Sequence, residues 1–358
     1  MANTKDNGMI RILQYNNDPG NCLLTPFVEE LAGTARIGST CALVNTNDQA
    51  LQIAGMLQNR NVPAKLIQTN EGFRLSDLVE LRFFIDQLQT DSDNTTIDQE
   101  NWEEACQALR ITYSRSSIHD KCLKLIKNFE ILHPSTRYMT DLITYIRESK
   151  LEVFDTDEID TIYVGTIHKA KGKEFDNVHL LLDKKYMKNL NAEKNRLLYV
   201  GFTRARSKLV IHTNDHYLDR IKTDKLERIA DPNTHPLPSE IASQASHKAV
   251  WLDYFINNQR QRLLNELQCG DQLIIHDGGC QNKQGQTILK FSSLCREEIK
   301  KMSKLGFVPQ YAKVGFVIFW KKEEADNDCK IVLPELHYTK LVPAARAEQR
   351  NEKFSHRI

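Results

Sequence analysis

The 358-residue sequence predicts an α/β protein: a parallel-sheet domain with a small helical insertion, followed by a C-terminal α+β domain. Three observations predict it. Strand and helix signals alternate from Met9 to Gln68, and the alternation resumes from Thr161 to His212. Between the two lies a stretch of helical patterns with little strand signal. Further on, Asp231–Pro238 (DPNTHPLP) sets three prolines in eight residues, a linker signature that sets off the C-terminal region.

Met9–Tyr15 has the composition of a strand, and Asp18-Pro19-Gly20-Asn21 that of a turn. Leu23–Leu31 has helical spacing, with Pro26 tolerable in its first turn. Thr40–Val44 (TCALV) is a short buried strand. Asn45-Thr46-Asn47-Asp48 offers side-chain caps for a helix from Gln49 to Arg60, where Leu51, Ala54, Leu57 and Gln58 make a mostly apolar stripe. Asn61-Val62-Pro63 closes that helix, and Ala64–Gln68 returns as a strand. Strand, helix and strand within about thirty residues form a βαβ unit, whose strands pair in parallel.

Leu75–Leu88 places Leu78, Leu81, Phe84, Ile85 and Leu88 at helical spacing. A polar loop, Thr90–Thr96, precedes three further helical patterns at Asn101–Arg110, Ser117–Phe129 and Met139–Glu148. Thr161–Thr166 (TIYVGT) and Asn177–Leu182 (NVHLLL) are strands, Ala192–Tyr199 is a helix, and Lys208–His212 (KLVIH) is a strand. The expected organisation is a sheet domain in two parts, 1–88 and 158–230, a helical subdomain at 89–157 inserted between them, and an accessory domain at 245–340. In the accessory domain Lys248–Leu267 reads as a helix carrying Trp251, Phe255 and Leu263. Leu273–His276, Thr287–Phe291 and Ala312–Trp320 read as strands and Arg296–Leu305 as a helix, with turns at Asp277-Gly278-Gly279 and Gln284-Gly285. Trp320 suits a packed core or a recognition surface, the core being favoured. Asn351–Ile358 reads as a frayed tail.

Composition narrows the function classes. Hydrophobic residues are 41% and charged residues 27%, as in a globular chain, neither disordered nor membrane-embedded. No run of about 18 apolar residues is present, so no membrane span is expected. The 48 Lys+Arg against 47 Asp+Glu exclude a uniformly basic nucleic-acid module but leave room for a local basic face. Eight cysteines are spread singly without zinc-ligand spacing, so reduced thiols, a cytoplasmic location and no metal site are expected.

Two segments carry chemistry. Val164–Phe175 (VGTIHKAKGKEF) runs from a strand end into a polar loop, and in parallel sheets ligands bind outside the carboxyl ends of the strands. The loop offers Thr166, His168, Lys169, Lys171, Lys173 and Glu174, cations suited to phosphate and a carboxylate suited to a ribose hydroxyl. Gly172 permits a tight turn or a close ligand approach. The competing view, a solvated charged loop, has even standing on composition alone. The second segment, Arg196–Arg206 (RLLYVGFTRAR), ends a helix in Gly201, Thr203, Arg204 and Arg206. Arginine supplies a fixed, forked charge that can clamp a phosphoryl group, although surface arginines at a helix cap would look the same. Between Thr161 and His212 there are eleven Lys+Arg against four Asp+Glu, a local excess that favours phosphate or nucleic acid.

TIHKAKGKEF and RLLYVGFTRAR resemble motifs V and VI of the UvrD/Rep/PcrA-like superfamily 1 DNA helicases, in the family's order. Ala42–Phe84, with ALVNTN, NVPAKLI and VELRFFIDQL, resembles the segment called motif IVa. The resemblance spans about residues 10–215 and implies the second RecA-like domain of an ATP-dependent helicase, working 3′ to 5′. It implies that Arg204 is the catalytic arginine finger on the γ-phosphate and that Glu174 and Gly172 belong with Arg204 to the ATP site. Thr166, His168, Lys169 and Lys173 would meet single-stranded or partly duplex DNA, and Tyr199 would pack in support. Arg206 and Lys171 are weaker candidates, for DNA or for ion pairs. Lys173 stands where the family usually has Leu, Lys169 where a small residue is common, and Asn45 where R-T-N has Arg. The resemblance implies that the inserted subdomain is a reduced version of the family's, and it does not account for the 245–340 region.

The sequence contains no GxxxxGK[ST] loop and no carboxylate pair following a strand that would seat Mg²⁺. The expectation is therefore a C-terminal fragment or truncated product of a helicase. It would be inactive alone, binding neither ATP nor Mg²⁺ tightly, and would need a first RecA-like domain from upstream or from another subunit. The alternatives are a non-catalytic DNA-binding or scaffold protein with a degenerate helicase domain, and the non-cutting subunit of a helicase–nuclease.

Overall fold

The computed structural model describes residues 8–16, 23–34, 37–67, 73–88, 96–149, 161–188, 191–276, 278–323 and 327–341. The sequence-predicted turn at 18–21, most of the 90–96 loop and the 351–358 tail lie outside the described residues. The chain divides into two compact units, Met1–Gln68 with Glu152–Ala242, and Thr69–Leu151 with Ser243–Ile358.

The first unit is a RecA-like parallel sheet. Among the described residues it has seven strands, ordered Ala64–Leu66, Ile162–Thr166, Thr40–Val44, Phe175–Leu182, Ala205–Thr213, Met9–Tyr15 and Leu226–Asp231. The strands pair in parallel throughout. Its central strands are buried on both faces, which is why they read as continuous apolar runs. Side chains alternate across the pleat. Ala42 and Val44 join one core with the helices Leu24–Gly33 and Asn47–Gln58. Cys41 and Leu43 join the other with Ile167, Ala170 and Leu198. Cys41 is a fully buried core residue, and burial pushes its thiol well up. The Asn47–Gln58 helix starts where Thr46 accepts a hydrogen bond from the Gln49 amide, slightly earlier than the sequence suggests.

The edge strand Leu226–Asp231 was not legible. Its residues are mostly exposed and charged, and Arg11 bridges Glu227 at 2.8 Å and Glu30 at 3.1 Å to hold it beside Met9–Tyr15. Exposed charge on an edge discourages further strand addition and also hides the strand from a hydropathy pattern.

His179 and His212 are fully buried in this sheet, ring centroids 6.0 Å apart. The Tyr15 hydroxyl lies 2.8 Å from His212 Nδ1, and no hydrogen-bond partner reaches either nitrogen of His179. Burial lowers both, His179 to about 3 with Lys208 adding to it, His212 with His179 and Arg11 adding. The unfolded chain protonates near the ordinary value of about 6.5, so stability is full above it and falls as acid titrates the unfolded state. For His179 the loss continues down to about pH 3. Up to about 1.4 kcal/mol per pH unit is expected from each histidine. A melting midpoint unchanged between about pH 7 and about pH 5 would contradict this.

The second unit joins the helical block to a curled antiparallel sheet. Among the described residues the sheet runs Glu240–Gln244, Cys329–Lys340, Phe307–Trp320, Gln272–His276, Gly279–Gln281 and Thr287–Lys290. Bulges at Pro309/Tyr311 and Val314/Phe316 bend its long central hairpin. The helices Gln99–Thr112, His119–Leu132 and Met139–Glu148 gather around Trp102, which meets Phe84 at 5.3 Å and Phe129 at 5.9 Å. The sequence separates this block from the region after 245, whereas packing unites them. Leu78 bridges Ile318, Phe73 meets Phe316 at 5.1 Å, and Ser117 N–H donates to Cys269 O at 2.8 Å. Buried Glu80 accepts from Ser116 Oγ at 2.7 Å, and desolvation raises its carboxyl.

Two helix expectations need correction here. Leu75–Leu88 is a short 3₁₀ turn, Leu75–Asp77, then a helix, Val79–Gln87, because Leu78 is extended and pairs with Ile318. Lys248–Leu267 is not one helix. Val250 bridges Phe291 and the Trp251 amide donates to Lys290 O at 2.8 Å, so the apolar residues serve the sheet. Only Asn258–Leu264 is α-helical, capped by Asn257.

Candidate nucleotide and DNA interface

The segment after Ile162–Thr166 crosses the sheet instead of staying at one edge. Ile162 is level with Thr40, and Thr40 with Asn177, while Thr166 is level with Val44. Thr166 therefore marks the carboxyl edge, and Glu174, just before Phe175, marks the amino edge. The 3₁₀ turn Ile167–Ala170 makes the return over the face shared with the helix Ala192–Phe202. Gly201 belongs to the contact, since an added Cβ would stand 3.4 Å from both Ile167 and Leu180. The sequence expects the whole loop outside the carboxyl ends of the strands, but only its start at Thr166 lies at that edge. The parallel register carries Gly172, Lys173 and Glu174 to the opposite edge.

There the two chemical segments meet. Phe175 pairs with Ala205, and its amide donates to Arg204 O at 2.9 Å. The Arg204 guanidinium donates through Nε to Val200 O at 2.9 Å, through Nη1 to Lys173 O at 3.0 Å and through Nη2 to Thr203 Oγ1 at 3.0 Å. Arg206 Nε donates to Glu174 Oε2 at 3.2 Å, an ion pair in which both side chains are about half exposed. Gly172 has φ +79°, a left-handed backbone that disfavours any other residue. His168, Lys171 and Lys173 are exposed, and of the three only Lys173 is joined to these groups, through its carbonyl and Arg204.

Other expected residues face elsewhere. Thr166 is buried at its strand end. Lys169 is buried, with Nζ 2.7 Å from Asn47 Oδ1 and 2.8 Å from Ile67 O. The ammonium thus anchors the crossing segment to the Asn47–Gln58 helix. Replacing it by methionine removes both contacts and should cost about 1–3 kcal/mol. DNA affinity should be unchanged in the folded variant, and a filter-binding titration showing a large loss would return Lys169 to the DNA face. Tyr199, expected to pack, is 69% exposed, because its helix turns Leu198 inward instead.

Sequence reading missed Gly38, Ser39 and Asp176 at the same amino edge. Asp176 Oδ2 accepts from the Ser39 amide at 2.8 Å and from Ser39 Oγ at 2.9 Å. These bonds, with Arg206 nearby, hold its carboxyl below the usual range. At Gly38, φ +81°, a Cβ would fall 2.5 Å from Asp176 Oδ2. Nothing in the local sequence distinguishes such a lock from an ordinary turn. Among the described residues, no group of three or more His, Cys, Asp and Glu could hold a metal ion.

A family model for the UvrD-like helicase C-terminal domain matches residues 100–216, a span that contains both chemical segments. The chain is similar to that domain region of UvrD-like helicases. A curated relative, an ATP-dependent helicase/nuclease subunit from Anoxybacillus flavithermus, is 30% identical over 112 residues. That match covers 31% of this chain and 9% of the relative's length. Among solved structures, the C-terminal domain of a possible DNA helicase from Lactobacillus plantarum WCFS1 aligns with 64% of this chain and 89% of its own, at 11% identity and a TM-score of 0.30. No helix among the described residues is long and apolar enough to cross a membrane.

Proposed function

We propose that this chain acts as the C-terminal, second RecA-like part of an ATP-dependent DNA helicase that moves 3′ to 5′ along a single strand. The observation that carries the proposal is the meeting of the two chemical segments at the amino edge of the sheet, through Arg204 and Lys173 O and through Phe175 and Ala205. Arg204 is the arginine finger. When a nucleotide-binding domain presents a γ-phosphate, the guanidinium exchanges its carbonyl and hydroxyl partners for phosphate oxygens and stabilises charge that grows in the transition state. Glu174 and Gly172 form the nucleoside side of the site. His168 and Lys173, exposed, offer contacts to the DNA strand, with Thr166 at the far end of the segment.

In this proposal the metal and the phosphate-binding lysine belong to the partner domain. The chain's own residues orient, close on and sense the nucleotide. The deciding experiment is DNA-stimulated ATP turnover of the intact protein with Arg204→Ala.

A further inference from the structure

The second unit contains a groove that the helicase motifs do not use. It has a volume of about 1180 Å³ and lies where the Val250–Phe255 segment, the start of the Ser293–Lys304 helix and the end of the Phe307–Trp320 strand converge. Two of the three tryptophans in the chain, Trp251 and Trp320, line it. Trp251 is 50% exposed, an unusual state for so large an apolar ring, and the Lys290 ammonium lies 5.9 Å from its centroid. Four cations share the lining, Lys248, Arg296, Lys321 and Lys322, and all are exposed. Against them stand Asp253, which pairs with Lys322 at 2.8 Å, and Glu323. The chain as a whole is nearly neutral, so this is a local concentration of positive charge around indole faces.

We infer that this groove binds a single-stranded nucleic acid segment, with bases stacking on Trp251 and Trp320 and the backbone phosphates meeting Lys248, Arg296 and Lys321. Every base has a π-face, so such a site tolerates many sequences, and its affinity falls with salt as phosphate contacts release counterions. A duplex keeps its bases stacked on each other and offers the tryptophans nothing. An acidic peptide would satisfy the lysines and leave the indoles without a partner. The groove residues belong to the second unit and include none of the loop of His168 and Lys173, which belongs to the first.

The test uses the full chain and a fluorescein-labelled oligothymidine, read by anisotropy and by quenching of intrinsic tryptophan fluorescence. Trp102 is buried, so quenching reports the groove. Trp251→Ala is expected to weaken binding by about tenfold and to remove the Trp251 share of the quenching while leaving that of Trp320. Trp251→Phe should retain most of the affinity, which separates lost stacking from lost folding. Lys248→Glu with Lys321→Glu should weaken binding and flatten its salt dependence. Unchanged affinity in Trp251→Ala would overturn the inference, as would equal affinity for a duplex of the same length or for polyglutamate. A loss confined to His168→Ala and Lys173→Ala would also overturn it while leaving the helicase proposal standing.

Discussion

Arg204→Ala in the intact protein is expected to lower DNA-stimulated ATP turnover by about a thousandfold, the lower range for loss of an arginine finger. DNA affinity should be unchanged. In the proposed role the guanidinium meets the phosphoryl group most strongly in the transition state, so its removal lowers turnover more than binding. Arg204 has a structural role that the experiment must separate from the proposed chemical one. Its three hydrogen bonds, to Val200 O, Lys173 O and Thr203 Oγ1, staple the helix end to the crossing segment. Losing a staple alone would lower the melting midpoint and reduce turnover only as far as the folded fraction falls. Arg204→Lys sharpens the distinction, since it keeps the charge and loses the fork. Turnover near wild type in Arg204→Ala, at saturating ATP and DNA, would remove Arg204 from the chemistry.

Trp102→Ala should produce the largest loss of stability in the second unit, about 3–5 kcal/mol, seen as a shifted denaturant midpoint. The indole is 1% exposed, touches Phe84 and Phe129, and carries the Arg137 guanidinium 4.9 Å from its centroid. Its removal leaves a cavity among three helices and takes the aromatic face from Arg137, which then relies on Gln99 and Glu130. Trp102→Phe should recover much of the loss, because the buried indole N–H has no hydrogen-bond partner and its deletion relieves a desolvated donor. A change below about 1 kcal/mol for the alanine variant would mean that the helices close the gap or that the block is loosely packed.

Much of the architecture was legible because local pattern and tertiary environment agree. Met139–Glu148 has the bounds read from its spacing, and TCALV and TIYVGT are apolar because both of their faces are covered. Reading failed where tertiary pairing overrode local pattern. Trp251 and Phe255 have helical spacing but serve a sheet, and Cys329–Lys340 went unread although it pairs along the whole length of Phe307–Trp320. The union of the helical block with the C-terminal sheet depends on contacts such as Leu78 with Ile318, separated by most of the chain and carrying no local signal. At the candidate site the chemical residue types were visible in sequence, but their placement was not. Lys169 looks like Lys171 and Lys173 on paper, yet its neighbours Ile167 and Ala170 enter the core and draw it inward. The Ser39–Asp176 lock joins residues far apart in sequence and is visible only once the sheet is assembled.

The crossing segment also has a mechanical consequence. Five residues of strand cover about 16 Å, and the eight residues 167–174 must return that distance while spending four of them on a tight turn that advances about 2 Å per residue. The remaining four, fully extended, add about 14 Å, so the segment reaches about 22 Å where about 16 Å is needed and is not drawn tight. Both ends are moored, by Lys169 to Asn47 and Ile67 and by Lys173 O to Arg204. A segment with that much spare length absorbs small movements of either mooring. If Arg204 exchanges Lys173 O for a phosphate as proposed, that end of the segment is freed, while the Lys169 mooring on Asn47 and Ile67 keeps the rest of it on the sheet.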